Sequence, residues 1–307
     1  MNKPLRFLWR FSRNILCFFP AGRRMLFPKD RLSMRFGRGD AEYAWSVFSH
    51  HLTQIDEAGF TSAQKILEIG PGRNIGTSLL FSCYLRSIGI QNVQVVCWDV
   101  FNNIKPDVKG FWVEIAKDLL LNFPETIGVK HLDVSSFRES LLKVSEGSTL
   151  PYINYRVESL AELEEAMSSN AVVFDLIYSQ AAIEHIWFID KFWNAMERLT
   201  SDNGWHSHRI DLADHGSRES NYIEMLEWSK LSYWLTMRFI PGATNRWRAT
   251  HYLKKLKSFG MKIVYQQMHQ RDQLPIPLYK VSSEFSSLGE AELRTIALDV
   301  VAIKSQK

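Results

Sequence analysis

A chain of 307 residues, 46% of them hydrophobic, can bury a sizeable core, and its ordinary Gly and Pro contents exclude collagen-like and low-complexity classes. Three scattered cysteines, Cys17, Cys83 and Cys97, fit neither a zinc site nor a disulfide scaffold and point to a reducing, cytoplasmic compartment. The net charge of +4 sits in one arm: residues 1–39 hold ten bases against the single acid Asp30, leaving 27 bases and 32 acids elsewhere, which argues against a basic nucleic-acid groove through the body.

Residues 3–19 have the periodicity of a short amphipathic helix. Lys3, Arg6, Arg10 and Arg13 form one stripe, and Leu5, Leu8, Trp9, Ile15, Leu16 and Phe19 lie mostly away from it. Such a helix suits an anionic membrane surface, peripheral at the inner face of the cytoplasmic membrane, and equally a docking helix with solvated arginines. The apolar stretch 14–22 is short, is followed by Arg23 and Arg24, and has no small-residue cleavage site, so it reads as neither a signal peptide nor a membrane span. A second helix over 40–58, with Tyr43, Trp45, Val47, Phe48, Leu52 and Ile55 on its apolar face, completes an N-terminal helical arm, 1–58.

The remainder, 59–307, alternates strand and helix. Strands are predicted at 65–69, 92–98, 152–157, 172–179 and 205–212, with helices at 76–88, 111–121, 160–167 and 188–199. A closing strand pair follows at 261–268 and 295–303. This is an α/β pattern, a doubly wound, mostly parallel seven-stranded sheet with ligands expected beyond the carboxyl ends of its strands. Two insertions, about 101–150 and 213–258, form a helical cap over that edge.

The chemistry begins at Ile66-Leu67-Glu68-Ile69-Gly70-Pro71-Gly72, an apolar strand that delivers an acid and turns on two glycines. Glycines allow a backbone to approach a ligand closely. A carboxylate two residues before the first glycine would repel a phosphate but suits a cationic ligand. The next strand ends in Asp99, placed to bind both hydroxyls of a ribose. The third element is Phe174–Ile186, with Gln180 closing its strand and Glu184-His185 just beyond.

Taken in order, these segments resemble those of class I S-adenosylmethionine-dependent methyltransferases, the first as motif I and the third as motif IV with its flank, and Leu199–Ile210 resembles the turn and fifth strand of that family. The likeness covers residues 66–210. It implies a Rossmann-like methyltransferase fold and S-adenosyl-L-methionine as cofactor. Glu68, Gly70, Pro71 and Gly72 would meet the methionine moiety, Asp99 the ribose, and Glu158 or Ser159 the adenine, although the family more often has Asp there. Gln180 would face the cofactor. Residues 42–45, His208–His215 and Asn245–Arg248 resemble a bacterial subgroup associated with polysaccharide or other glycan biosynthesis.

Methyl transfer to a hydroxyl needs alignment and a base. His185 or His215 is the candidate base, oriented by Asp211 or Asp214. The alternative is that His185 caps a helix and the His/Asp group only ties down a loop. No metal is assigned, although this group could hold a divalent ion. His208, Asp214, Arg246 and Arg248 are candidate substrate-binding residues, with arginine forks suited to an anionic or sugar-bearing acceptor. The expected function is O-methylation of a small-molecule or glycan-type acceptor, lipid-linked if the arm meets a membrane. An RNA ribose O-methyltransferase and a non-catalytic membrane-associated scaffold are the alternatives.

Overall fold

The computed structural model describes residues 3–27, 38–101, 110–127, 129 and 132–305. The arm residues Lys29, Asp30, Arg31 and Arg35, and 102–109 of the first predicted insertion, lie outside the described residues. The arm gives helices α1 (Lys3–Phe18) and α2 (Pro20–Leu26), followed by α3 (Arg38–Glu57). The alternating body then runs β1 (Lys65–Ile69), α4 (Gly76–Ser87), β2 (Gln94–Asp99), α5 (Phe111–Leu121), α6 (Val134–Ser145), β3 (Tyr152–Val157), α7 (Leu160–Ser169) and β4 (Phe174–Gln180). It continues with α8 (Ile189–Leu199), β5 (Thr200–Asp211), α9 (Lys230–Met237), α10 (Ala249–Ser258), β6 (Met261–Gln270), α11 (Glu290–Arg294) and β7 (Thr295–Lys304).

The seven strands form one sheet in the order β3-β2-β1-β4-β5-β7-β6. Strands β1 to β5 are mutually parallel, and β7 runs antiparallel between β5 and β6. The doubly wound, mostly parallel seven-stranded fold is therefore present. Chain order reverses between β1 and β4, where a crevice opens at the carboxyl edge.

Side chains alternate across the sheet into two cores. Ile66, Val95, Leu176 and Tyr178 pack under α3, α4, α5 and α6, while Leu67, Ile69, Ile177 and Leu298 pack under α7, α8 and α10. Helix α3 belongs to the first core through Trp45, Phe48, Leu52 and Ile55, so the arm proper is α1 and α2. The predicted fifth strand starts earlier, at Thr200. Its pairing jumps from Phe174–Thr200 to Leu176–Trp205, a bulge around Asn203 (φ 59°) and Gly204. Helix α6 was not predicted, although Asp133 caps it and Phe137, Leu141 and Val144 recur at helical spacing.

A third apolar cluster, with Tyr222, Ile223, Trp228, Tyr233 and Phe285, builds the cap over 213–258. Helix α1 docks on this cap. Arg6 and Arg10 pair with Glu224 at 3.1 and 2.6 Å and lie over the Trp228 ring. Asn14 donates to the Leu235 carbonyl (2.8 Å) and accepts from the Phe239 N–H (2.6 Å). Docking on its own domain is thus realised, with Arg6 and Arg10 turned inward rather than solvated. Among the described residues no helix is long and apolar enough to cross a membrane.

Candidate active site

At the switch point a cavity of about 620 Å³ opens beyond β1, β2 and β4. Gly70, Gly72, Asp99, Ala182 and His185 form its floor, and Phe18 and Arg23 of the arm with Arg238–Ala243 of the cap close over it. Gly70 has φ +66°, and a Cβ there would lie 2.6 Å from the Ala182 Cβ. Two independent demands therefore require glycine: the left-handed backbone and the close approach of the loop after β4. Asp99 ties the floor together, accepting from the Gly72 N–H (3.2 Å) and the Phe101 N–H (2.9 Å).

Glu68 does not line this cavity. Register sets Glu68 beside Cys97 and Tyr178 on the face covered by α4, where Ser78 donates to its carboxylate. Burial raises its pKa from 4.5 to about 7, against the hydrogen bonds of Ser78, Tyr178 and Cys97, which act to lower it. Its predicted contact with a methionine moiety is therefore not provided by this geometry. Pro71 is likewise absent from the cavity lining, and its carbonyl accepts from Asn74 (3.2 Å). Gln180 lies on the α3 face beside His51, and its buried Oε1 makes no hydrogen bond of normal geometry.

The adenine candidates sit further along. Glu158 is held by Arg156 at 2.5 and 2.7 Å, and its carbonyl accepts from the Trp98 indole at 3.0 Å. Ser159 caps α7 in a reciprocal pair with Glu162. It lines a neighbouring cavity of about 580 Å³ that shares Trp98, Val100 and His185 with the first.

A titratable cluster meets this cavity through His185. After β4 the chain turns through Ala181 at φ 49°, a left-handed conformation costly for a residue with a Cβ. The turn delivers Glu184 and His185. His185 Nδ1 meets the Ala243 carbonyl at 3.3 Å, and its ring centroid lies 5.0 Å from that of His215. His215 Nε2 is 3.2 Å from Asp211 Oδ2, which Arg218 also holds. Burial, reinforced by the nearby His215, pushes the His185 pKa down. Burial pushes the Asp211 carboxyl up, but hydrogen bonds led by that of His215 outweigh it and hold it below the usual range. The structure thus brings His185, Asp211 and His215 together.

Four predicted substrate contacts are not available. His208 is buried between Ser179 Oγ (2.9 Å) and His206 (3.0 Å) on the α8 face. Asp214 caps its own loop, accepting from the N–H groups of Gly216 (2.8 Å) and Ser217 (3.1 Å). Arg246 donates to the Trp228 carbonyl (2.7 Å) and pairs with Glu284 inside the cap. Arg248, 0% exposed, donates to the carbonyls of Leu212 (2.6 Å), Glu292 (3.0 Å) and Thr295. These arginines satisfy main-chain acceptors where cap meets sheet, a structural use that their fork geometry serves equally well.

Sequence reasoning missed Glu184 as a member of the cluster, although a carboxylate just beyond a buried strand was a readable signal. It also missed Phe18, Arg23 and Arg238, which reach the cavity only through docking of the arm and cap and have no local signature.

No protein-family model matches the sequence, and no curated protein matches it. Among solved structures, the chain is similar to one from Listeria monocytogenes assigned as an S-adenosylmethionine-dependent methyltransferase, at 14% identity and a TM-score of 0.43, with 87% of this chain and 98% of that one covered. It is similar to one from Galdieria sulphuraria assigned as a sarcosine dimethylglycine methyltransferase, at 13% identity and a TM-score of 0.46, covering 85% and 86%. A third is the plantazolicin methyltransferase BamL, in complex with a triazolic desmethylPZN analog and SAH, at 10% identity and a TM-score of 0.44, covering 98% and 97%. The residues of the site therefore carry the functional assignment.

Proposed function

We propose that the chain is an S-adenosylmethionine-dependent O-methyltransferase acting on a hydroxyl of a small-molecule or glycan-type acceptor. The observation that carries this reading is one cavity with two chemically distinct walls. The Gly70–Gly72 turn and Asp99 form one, and His185 stands on the other, with His215 against its ring and Asp211 held by His215. A volume of about 620 Å³ suits a nucleoside-bearing cofactor with part of an acceptor. When bound, the cofactor supplies an activated methyl group whose leaving sulfur keeps the bonding electron pair. Gly70 and Gly72 give the close backbone approach such a ligand needs, and Asp99 offers acceptors for its ribose. The cap and arm close over part of the cavity, which limits solvent and strengthens the polar contacts inside. The His185–His215–Asp211 group receives the acceptor hydroxyl, and its proton is given up there.

The test is titration of the wild type and Asp99→Ala with S-adenosylhomocysteine. We expect roughly tenfold or greater weakening in the variant, the equivalent of about 1.4 kcal/mol. Unchanged affinity would remove the ribose role.

The outward face of α1 bears on where the acceptor is met. Leu5, Leu8, Trp9, Ile15 and Leu16 are exposed along it, Leu8 at 58% and Trp9 at 51%, with Phe19 exposed just beyond the helix. Apolar side chains so placed suit insertion into a lipid surface. Cys17, Phe18 and Arg23 beside that face line the cavity, so an acceptor linked to lipid would have a short route in.

A further inference from the structure

We propose that Glu184, His185 and His215 bind a divalent transition-metal cation beside the cavity, which His185 lines. One ligand atom from each of the three lies within 4.8 Å of the others. Metal–ligand bonds of about 2.0–2.2 Å place donor atoms roughly 3–4 Å apart, so closing the site takes small side-chain rotations.

Two further observations point to a ligand. Glu184 is 1% exposed, and neither carboxylate oxygen makes a hydrogen bond of normal geometry. The main-chain N–H groups of Glu184 and Asp211 approach it without closing one. A buried carboxylate without a partner is costly, and a cation is the partner that would satisfy both oxygens.

Each imidazole also has an outer partner on one ring nitrogen. The Ala243 carbonyl at 3.3 Å fixes the proton of His185 on Nδ1, leaving Nε2, the nitrogen that faces Glu184 Oε1 at 4.0 Å. Asp211 engages Nε2 of His215 at 3.2 Å and is itself held by Arg218 and the Ala213 N–H (3.0 Å). A carbonyl or carboxylate on one ring nitrogen, with the other presented to the site, is the usual outer shell of a metal-bound histidine. The turn carrying Glu184 and His185 is pinned by Asn245. Its N–H donates to the Glu184 carbonyl (2.6 Å), and its side chain donates to the carbonyls of Ile183 and Ile186 (both 3.1 Å).

Two imidazoles and one carboxylate favour Mn²⁺, Fe²⁺, Co²⁺ or Zn²⁺ over Ca²⁺. Three protein ligands leave open positions for a hydroxyl. The cation would lower the pKa of that hydroxyl: the O–H bond breaks, the electron pair stays on oxygen, and the proton passes to water. His185 and His215 then serve as ligands rather than bases. This role rests on the cavity being the methyl-transfer site; the binding of metal does not.

The experiment uses untagged full-length protein stripped with chelator. MnCl₂ is followed by electron paramagnetic resonance, CoCl₂ by visible absorption and ZnCl₂ by calorimetry, with S-adenosylhomocysteine affinity measured in parallel. We expect one saturable site per chain, weakened about tenfold or more in Glu184→Gln and in His215→Asn and unchanged in the surface variant Glu114→Gln. Glu184→Gln removes only a buried charge, and a melting curve checks that it folds. Absence of saturable binding of all three ions overturns the proposal, as does binding undiminished in both site variants. Metal binding without S-adenosylhomocysteine binding would sustain the site and remove the methyl-transfer reading. Cofactor binding without metal would do the reverse.

Discussion

Glu68 shows how one position answers to its surroundings rather than to its motif. Its folded pKa of about 7 lies above the ordinary 4.5, so the native state keeps a proton that the unfolded chain releases between those values. The stability gained is full below pH 4.5 and is lost as pH rises through 7, a change on the order of 3 kcal/mol. Glu68→Gln carries the neutral isostere, so its urea-unfolding free energy relative to wild type should improve from pH 5 to pH 8. Parallel pH dependences would contradict the assignment. His51 and His206 act with opposite sign. Both are depressed by burial from 6.5 to about 3, so their stabilisation is present above pH 6.5 and lost as pH falls toward 3. Gly70→Ala should cost about 1–3 kcal/mol and abolish cofactor binding, because φ +66° and the Ala182 side chain both oppose a Cβ. A variant that melts and binds like wild type would refute both demands.

At the scale of elements, periodicity located α1 but not its orientation. The arginine stripe reads as a solvated face, yet Glu224 and Trp228, more than 200 positions away, draw Arg6 and Arg10 inward and leave the apolar stripe outside. Local pattern cannot reveal a partner so distant in sequence. The same holds for Arg246 and Arg248, whose acceptors are carbonyls of the cap and sheet. By contrast, β1, β2 and β4 were legible because a buried parallel strand is a nearly continuous apolar run ending at a turn. If the outward face meets lipid, Leu8→Glu with Trp9→Glu should reduce sedimentation with anionic vesicles by about tenfold and leave the melting temperature unchanged, since both side chains are exposed. Equal sedimentation of the double variant and wild type would assign the stripe another role.

For the whole molecule, the sheet order, with its reversal between β1 and β4, brings three sequence-distant segments to one edge: the glycine turn, Asp99 and the Glu184–His185 turn. All three were readable as motifs. The closing of the cavity by arm and cap was not, since it depends on packing between elements with no shared pattern. The central claim is that this edge binds a sulfonium nucleoside rather than a dinucleotide. Calorimetric titration of the purified chain with S-adenosylmethionine, S-adenosylhomocysteine and NAD tests it most directly. Saturable binding of the first two is expected, with Kd on the order of micromolar, and none of NAD. Binding of NAD alone, or of none of the three, would contradict it.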